Sequence, residues 1–179
     1  LILSLGTPGY RRNRLVLRRQ GQGCVRPTCA FIGQLVGGVT KASFYILGEA
    51  TEDARVGFAV KFVRQSWRKG LDVYCHVRDS DQAARLDEAL WADTESFIPH
   101  VIETDTQPIA GTVGIGWSDP TSRHGVFVNL ADTLPEWFTH FDDVVEIVTQ
   151  DPETLAATRE NWKQLKFNGY PITQHDLRS

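Results

Sequence analysis

From Lys41 onward the chain alternates between two kinds of apolar spacing. Ala42–Leu47 is a short, mostly apolar run closed by Gly48, the pattern of a buried strand. Thr51, Glu52 and Asp53 then supply a cap and an acidic first turn. Val56, Ala59, Val60, Val63 and Trp67 follow at i, i+3, i+4, i+7 and i+11, which predicts a helix to about Lys69 that stops at Gly70. Phe58 and Phe62 make a second apolar row, so this helix is expected to pack on two sides. Leu71, Val73, Cys75 and Val77 alternate along one face of a strand. Asp79 or Ser80 caps a second helix, which turns Ala83, Leu86 and Leu90 inward.

Beyond it the pattern shortens. Strands are expected at Val101–Ile102, at Val113–Trp117 with Gly114 and Gly116 on the alternate face, and along Val126, Val128 and Leu130. Leu134–Phe141 reads as an aromatic segment with one helical turn, and Val144–Val148 as a β-branched strand. Asp151, Pro152 and Glu153 open a last helix that ends at Asn168-Gly169, with Pro171 beyond. A short tail follows. The order β-α-β-α-β…β-α predicts an α/β domain with a largely parallel sheet over residues 41–179, without an internal repeat or a second domain.

Residues 1–40 are a different kind of sequence. They hold six arginines and no acid, a net charge of +6, and keep neither helical nor strand period. A disordered basic arm, a transit-like peptide and an upstream start in gene calling all fit; the last is favoured, because Val39 stands just before the first strand. The remaining residues carry 13 basic and 22 acidic side chains, a net charge of −9. That balance argues against a broad nucleic-acid-binding face on the main domain. No apolar run is long enough to span a membrane. Three cysteines, at 24, 29 and 75, fit a reducing compartment better than a disulfide framework, and Cys24 and Cys29 lack a second pair at zinc spacing.

Catalytic signatures are weak. Gly111, Gly114 and Gly116 neither follow a strong strand nor open a helix, and no Lys-Ser/Thr follows them. The Gly48–Thr51 turn carries an acid that would repel a pyrophosphate. The five histidines, at 76, 100, 124, 140 and 175, are dispersed, and no nucleophile elbow occurs. Asp87 and Glu88 are adjacent and so point to different helix faces, as surface charge does.

Two arrangements stand out. Trp91 falls at about 140° from Leu86 on the helical wheel, off the core stripe, and Phe97 follows in a loop beside Pro99. The pair is either an exposed binding patch or a satellite cluster under the loop. On the last helix, Arg159, Lys163 and Lys166 form a basic row directly beside the apolar row of Leu155, Trp162 and Leu165. This row either offsets the helix dipole or recognises an acidic peptide with an apolar end.

From about Lys41 to Asp176 the sequence resembles the chi subunit family of the bacterial DNA polymerase III holoenzyme. The marks are Ser43-Phe44-Tyr45-Ile46-Leu47, Trp67-Arg68-Lys69-Gly70, Arg85-Leu86-Asp87-Glu88-Ala89-Leu90-Trp91, Ser96-Phe97-Ile98-Pro99-His100, Val144-Val145-Glu146 and Arg159-Glu160, in order. The resemblance implies a three-layer α/β/α domain, Rossmann-like without a nucleotide site. It implies a cytoplasmic replication adaptor with no cofactor, metal or catalytic residue and little direct DNA contact. By position Val148, Arg159 and Lys163 match the family's site for the C-terminal tail of single-stranded DNA-binding protein. Trp91 and Phe97 match its surface for the psi subunit, the link to the clamp loader, or for a repair helicase. This chain departs from the family pattern at Leu155, where a basic residue is expected. The alternative from another class is a nucleotide- or S-adenosylmethionine-dependent α/β enzyme, which the fold pattern alone permits.

Overall fold

A computed structural model describes residues 39–103, 111–120 and 124–178. The basic opening, read from sequence up to residue 40, lies outside the described residues as far as residue 38. The elements are β1 (Lys41–Ile46), α1 (Glu52–Arg68), β2 (Val73–His76), α2 (Ser80–Trp91), β3 (His100–Ile102) and β4 (Val113–Gly116). They continue with β5 (Val126–Asn129), a 3-10 helix (Glu136–His140), β6 (Asp143–Val148), α3 (Pro152–Phe167) and β7 (Ile172–Asp176).

Among the described residues the strands form one seven-stranded sheet in the order β3-β4-β2-β5-β6-β1-β7, and every pairing is parallel. Parallel sheets need cover on both faces, and side-chain alternation supplies it. Val145 and Ile147 of β6 turn toward a core shared with Val56, Val63, Leu86 and Leu90 of α1 and α2. Val144 and Val148 turn the other way, toward Phe44, Phe138 and Leu165. The result is the expected three-layer α/β/α arrangement, with α1 and α2 on one face and α3 with the 3-10 helix on the other.

Local signals place the helix ends as expected. Thr51 Oγ1 accepts from the Ala54 N–H at 3.3 Å, Asp79 from Gln82 at 2.9 Å and Asp151 from Thr154 at 2.9 Å. Gly70 and Gly169 take the positive φ that follows a helix, at 75° and 79°. Phe58 and Phe62 pack against Tyr45, with ring centroids 5.3 and 5.4 Å apart. Two expectations are corrected. The second strand begins at Val73 rather than Leu71, which is 42% exposed. The segment after Pro171, expected as a tail, is the strand β7, paired in parallel with β1.

A polar cluster joins the layers at the carboxyl ends of the central strands. Glu146 of β6 is fully buried. Its Oε1 accepts from Asn129 Nδ2 of β5 at 2.9 Å and from Asn161 Nδ2 of α3 at 3.1 Å. From the other face, buried Arg55 of α1 donates Nε to the Ile147 carbonyl at 3.0 Å and Nη1 to the Leu130 carbonyl at 2.9 Å. Glu146 Oε2 and Asn129 Oδ1 have no hydrogen-bond partner among the described residues.

Burial lifts the Glu146 carboxyl to about 7, against the pull of Asn129, Arg55 and Asn161. Between 4.5, its ordinary value, and about 7, the native protein holds a proton that the unfolded chain has lost. This group therefore makes stability fall as pH rises through that window and leaves it level above. Glu146→Gln keeps the acceptor and cannot ionise. In urea denaturation from pH 4.5 to 8, its stability relative to the parent should climb through the window and then stay constant. A difference independent of pH would show that Glu146 does not titrate in this way.

Candidate functional site

A groove of about 460 Å³ opens between α3 and the β1–β7 edge of the sheet. Phe44 and Ile46 of β1 and Val148 of β6 give it an apolar base. The α3 wall presents Leu155, Thr158, Arg159, Trp162 and Lys163; Gln150, Gln174 and Arg178 line it from the sheet side. The structure thus brings together Val148, Arg159 and Lys163, residues that the sequence separates by up to fifteen positions.

Its cations differ in their engagement. Arg159 is exposed, and no hydrogen bond or ion pair holds its guanidinium among the described residues. Lys163 Nζ lies 2.6 Å from Glu160 Oε1 in an exposed pair on the same helix. Lys166 Nζ sits 4.5 Å from the centroid of the Trp162 ring, so it braces the indole that walls the groove. An apolar trough edged by a free guanidinium suits an acidic ligand with a hydrophobic end: the carboxylate meets the planar donor fork while the side chain leaves water.

The second arrangement lies at the end of α2. Trp91 and Phe97 are 60% and 67% exposed, and their ring centroids are 5.6 Å apart. They are therefore a surface pair and not a cluster beneath the loop. What is buried there is the support. Ile98 is 1% exposed, and the His100 ring lies 5.0 Å behind Trp91. His100 Nδ1 is 2.7 Å from the Ile98 carbonyl oxygen. Its Nε2 is 3.1 Å from Asp87 Oδ1, within reach for an ion pair but off-axis for a hydrogen bond. Arg64 of α1 clamps the start of the loop, with contacts of 2.8 Å to Asp93 and 2.9 Å to Glu95. Asp87, read as plain surface charge, is part of this brace.

Of the three glycines that imitate a phosphate loop, Gly111 sits in the turn before β4 with a φ of 81°, and the other two are strand residues. Gly114 and Gly116 lie inside β4, where a Cβ at 114 would meet Glu103 and one at 116 the Tyr74 hydroxyl. They leave room for buried neighbours. Sequence reasoning missed the sheet-side wall of the groove, Gln150, Gln174 and Arg178. The available signal was the repeat itself: an α-helix after β6 ending in Asn-Gly, then β-branched Ile172 and Thr173, is a further β-α-β crossover.

Comparison with known proteins decides the family. The family described as DNA polymerase III chi subunit, HolC, matches residues 39–173. The chain belongs to the DNA polymerase III chi subunit family. The chi subunit of Pseudomonas aeruginosa is 30% identical over 140 residues, covering 78% of this chain and 98% of that protein. That of Escherichia coli is 30% identical over 138 residues, covering 73% and 94%, and that of Haemophilus influenzae 26% over 139 residues, covering 76% and 96%. Membership makes this chi-family chain an accessory subunit of the replicative polymerase. Among the described residues no helix is long and apolar enough to cross a membrane.

The brace behind the aromatic pair is testable by stability. His100→Ala removes a ring wedged between Asp87, Ile98 and Trp91, and should cost about 1–3 kcal/mol in chemical denaturation. Trp91→Ala should cost less than about 1 kcal/mol, because most of the indole is already in water. A larger loss for Trp91 than for His100 would make Trp91 a core residue.

Proposed function

We propose that this chain is a non-catalytic adaptor which joins single-stranded DNA-binding protein to the polymerase III clamp loader. In this reading the groove beside α3 takes the C-terminal tail of single-stranded DNA-binding protein. The aromatic pair Trp91–Phe97 takes the psi subunit, which links to the clamp loader, or a repair helicase. The observation that carries the reading is the groove itself, with an apolar base at Val148 and the unpaired Arg159 on its rim. The tail ends in a Phe carboxylate preceded by acids, so it has both halves of the required chemistry. Arg159 pairs with the terminal carboxylate, Lys163 leaves Glu160 to add attraction, and Val148 lies against the apolar end. Trp91, at the end of α2, and Phe97, in the braced loop that follows, supply what a protein partner needs, large apolar rings already exposed.

An overall acidic domain binding an acidic tail must rely on local charge. Binding should therefore weaken with salt, as expected of exposed pairs. Arg159→Ala should cost about 1.5–3 kcal/mol of tail affinity, measured by titrating a labelled tail peptide against both proteins. Equal affinities would rule the groove out as the tail site.

The second surface has its own test. Trp91→Ala and Phe97→Ala should each abolish capture of psi or of the helicase while leaving the tail titration unchanged. Normal capture by both variants would remove the aromatic pair from the interface.

A further inference from the structure

The groove has a cation that the proposed tail contacts do not use. Arg178 lines it from the strand side, across from the α3 wall that bears Arg159 and Lys163. Its position is fixed by the backbone. The Leu177 N–H donates to the Ile46 carbonyl at 2.8 Å, and a Cβ on Gly48 would lie 3.8 Å from Arg178 Cα. The residue therefore stands at the end of β1, whose Ile46 belongs to the groove base.

Its guanidinium already holds a carboxylate. Nε donates to Asp176 Oδ1 at 2.9 Å and Nη2 to Asp176 Oδ2 at 2.5 Å; the Arg178 backbone N–H also donates to Oδ1, at 3.1 Å. This is the two-pronged arrangement by which an arginine recognises the planar end of any carboxylate. Both side chains are about half exposed, at 50% and 54%. A pair so open to water is weakly held, and one carboxylate exchanges for another at little cost. The Arg178 hydrogen bonds keep the Asp176 carboxyl down at about 2, so it is ionised at any physiological pH.

We infer that Arg178 is a second carboxylate-recognising residue of the groove, and that Asp176 is an internal competitor which an acidic peptide displaces from it. The inference rests on the reading of the groove as an acidic-tail site and adds a regulated subsite to it. Arg159 is open at first encounter. Arg178 engages only after Asp176 lets go, so Asp176 sets part of the affinity by holding the unliganded state.

This arrangement makes a prediction opposite in sign to ordinary damage. In a fluorescence-anisotropy titration of the full chain with a labelled acidic peptide ending in Phe with a free carboxylate, Arg178→Ala should weaken binding by about threefold to tenfold. Asp176→Asn, which keeps the shape and removes the charge, should tighten it by about twofold to fivefold. In the Arg178→Ala background the same Asp176→Asn change should give no gain. Unchanged binding by Arg178→Ala would overturn the inference. So would a full gain from Asp176→Asn without Arg178, which would mean that the acid acts only through overall charge. Arg159→Ala, run in parallel, separates the two levels. If it too leaves binding unchanged, the groove reading has failed; if it alone weakens binding, only the role of Arg178 has.

Discussion

Polar contacts around Glu146 tie both helical layers to the same two central strands. A carboxyl buried in the middle of a parallel sheet must be hydrogen-bonded or neutral; here two amides bond one of its oxygens, and burial raises its pKa. Asn129 reaches it from the next strand and Asn161 from α3, while Arg55 comes from α1 on the opposite face to bond the carbonyls of Ile147 and Leu130. Apolar packing alone leaves a helix free to slide along a sheet. A directional polar contact fixes its register. Asn161 precedes Trp162 and lies one turn beyond Thr158, so the contact that pins α3 also sets the wall of the groove.

The sheet then separates the two candidate surfaces. The aromatic pair hangs from the α2 layer, beside His100 on the edge strand β3. The groove lies under α3, beside the opposite edge strand β7. Six inter-strand steps lie between those edges, about 29 Å at ordinary strand spacing. Two ligands bound there need not touch, as the proposed adaptor role requires. The surfaces also differ in chemistry: one is an apolar pair backed by the buried side chains of His100 and Ile98, the other a trough whose rim carries exposed cations. A partner suited to one is poorly suited to the other.

Much of this was legible in the chain because its signals are local. Thr51, Asp79 and Asp151 mark helix starts through bonds to residues three positions on, and the period of Val56, Val60 and Val63 marks a buried face. Trp91 could be set apart from the core by angle alone. The rest depended on contacts distant in sequence. Strand β7 escaped because an edge strand with Thr173 and Gln174 in water has no apolar alternation to betray it. With β7 unseen, Gln174 and Arg178 had no place in a site. The Glu146 cluster draws on residues from Arg55 to Asn161, and no spacing rule links them. Whether Trp91 lies open or covered could be read only from the structure, since a wheel gives direction but not what covers it.

The central claim is that acidic-tail recognition and aromatic docking occupy separate surfaces of one chain. Backbone amide shifts recorded while an acidic peptide ending in Phe is titrated into the isotope-labelled protein test it most directly. The account predicts shifts confined to the groove, around Val148, along Leu155–Lys163 and at Gln174–Arg178, with the amides of Trp91–His100 unmoved. Shifts centred on Trp91–His100, or none around α3, would contradict it.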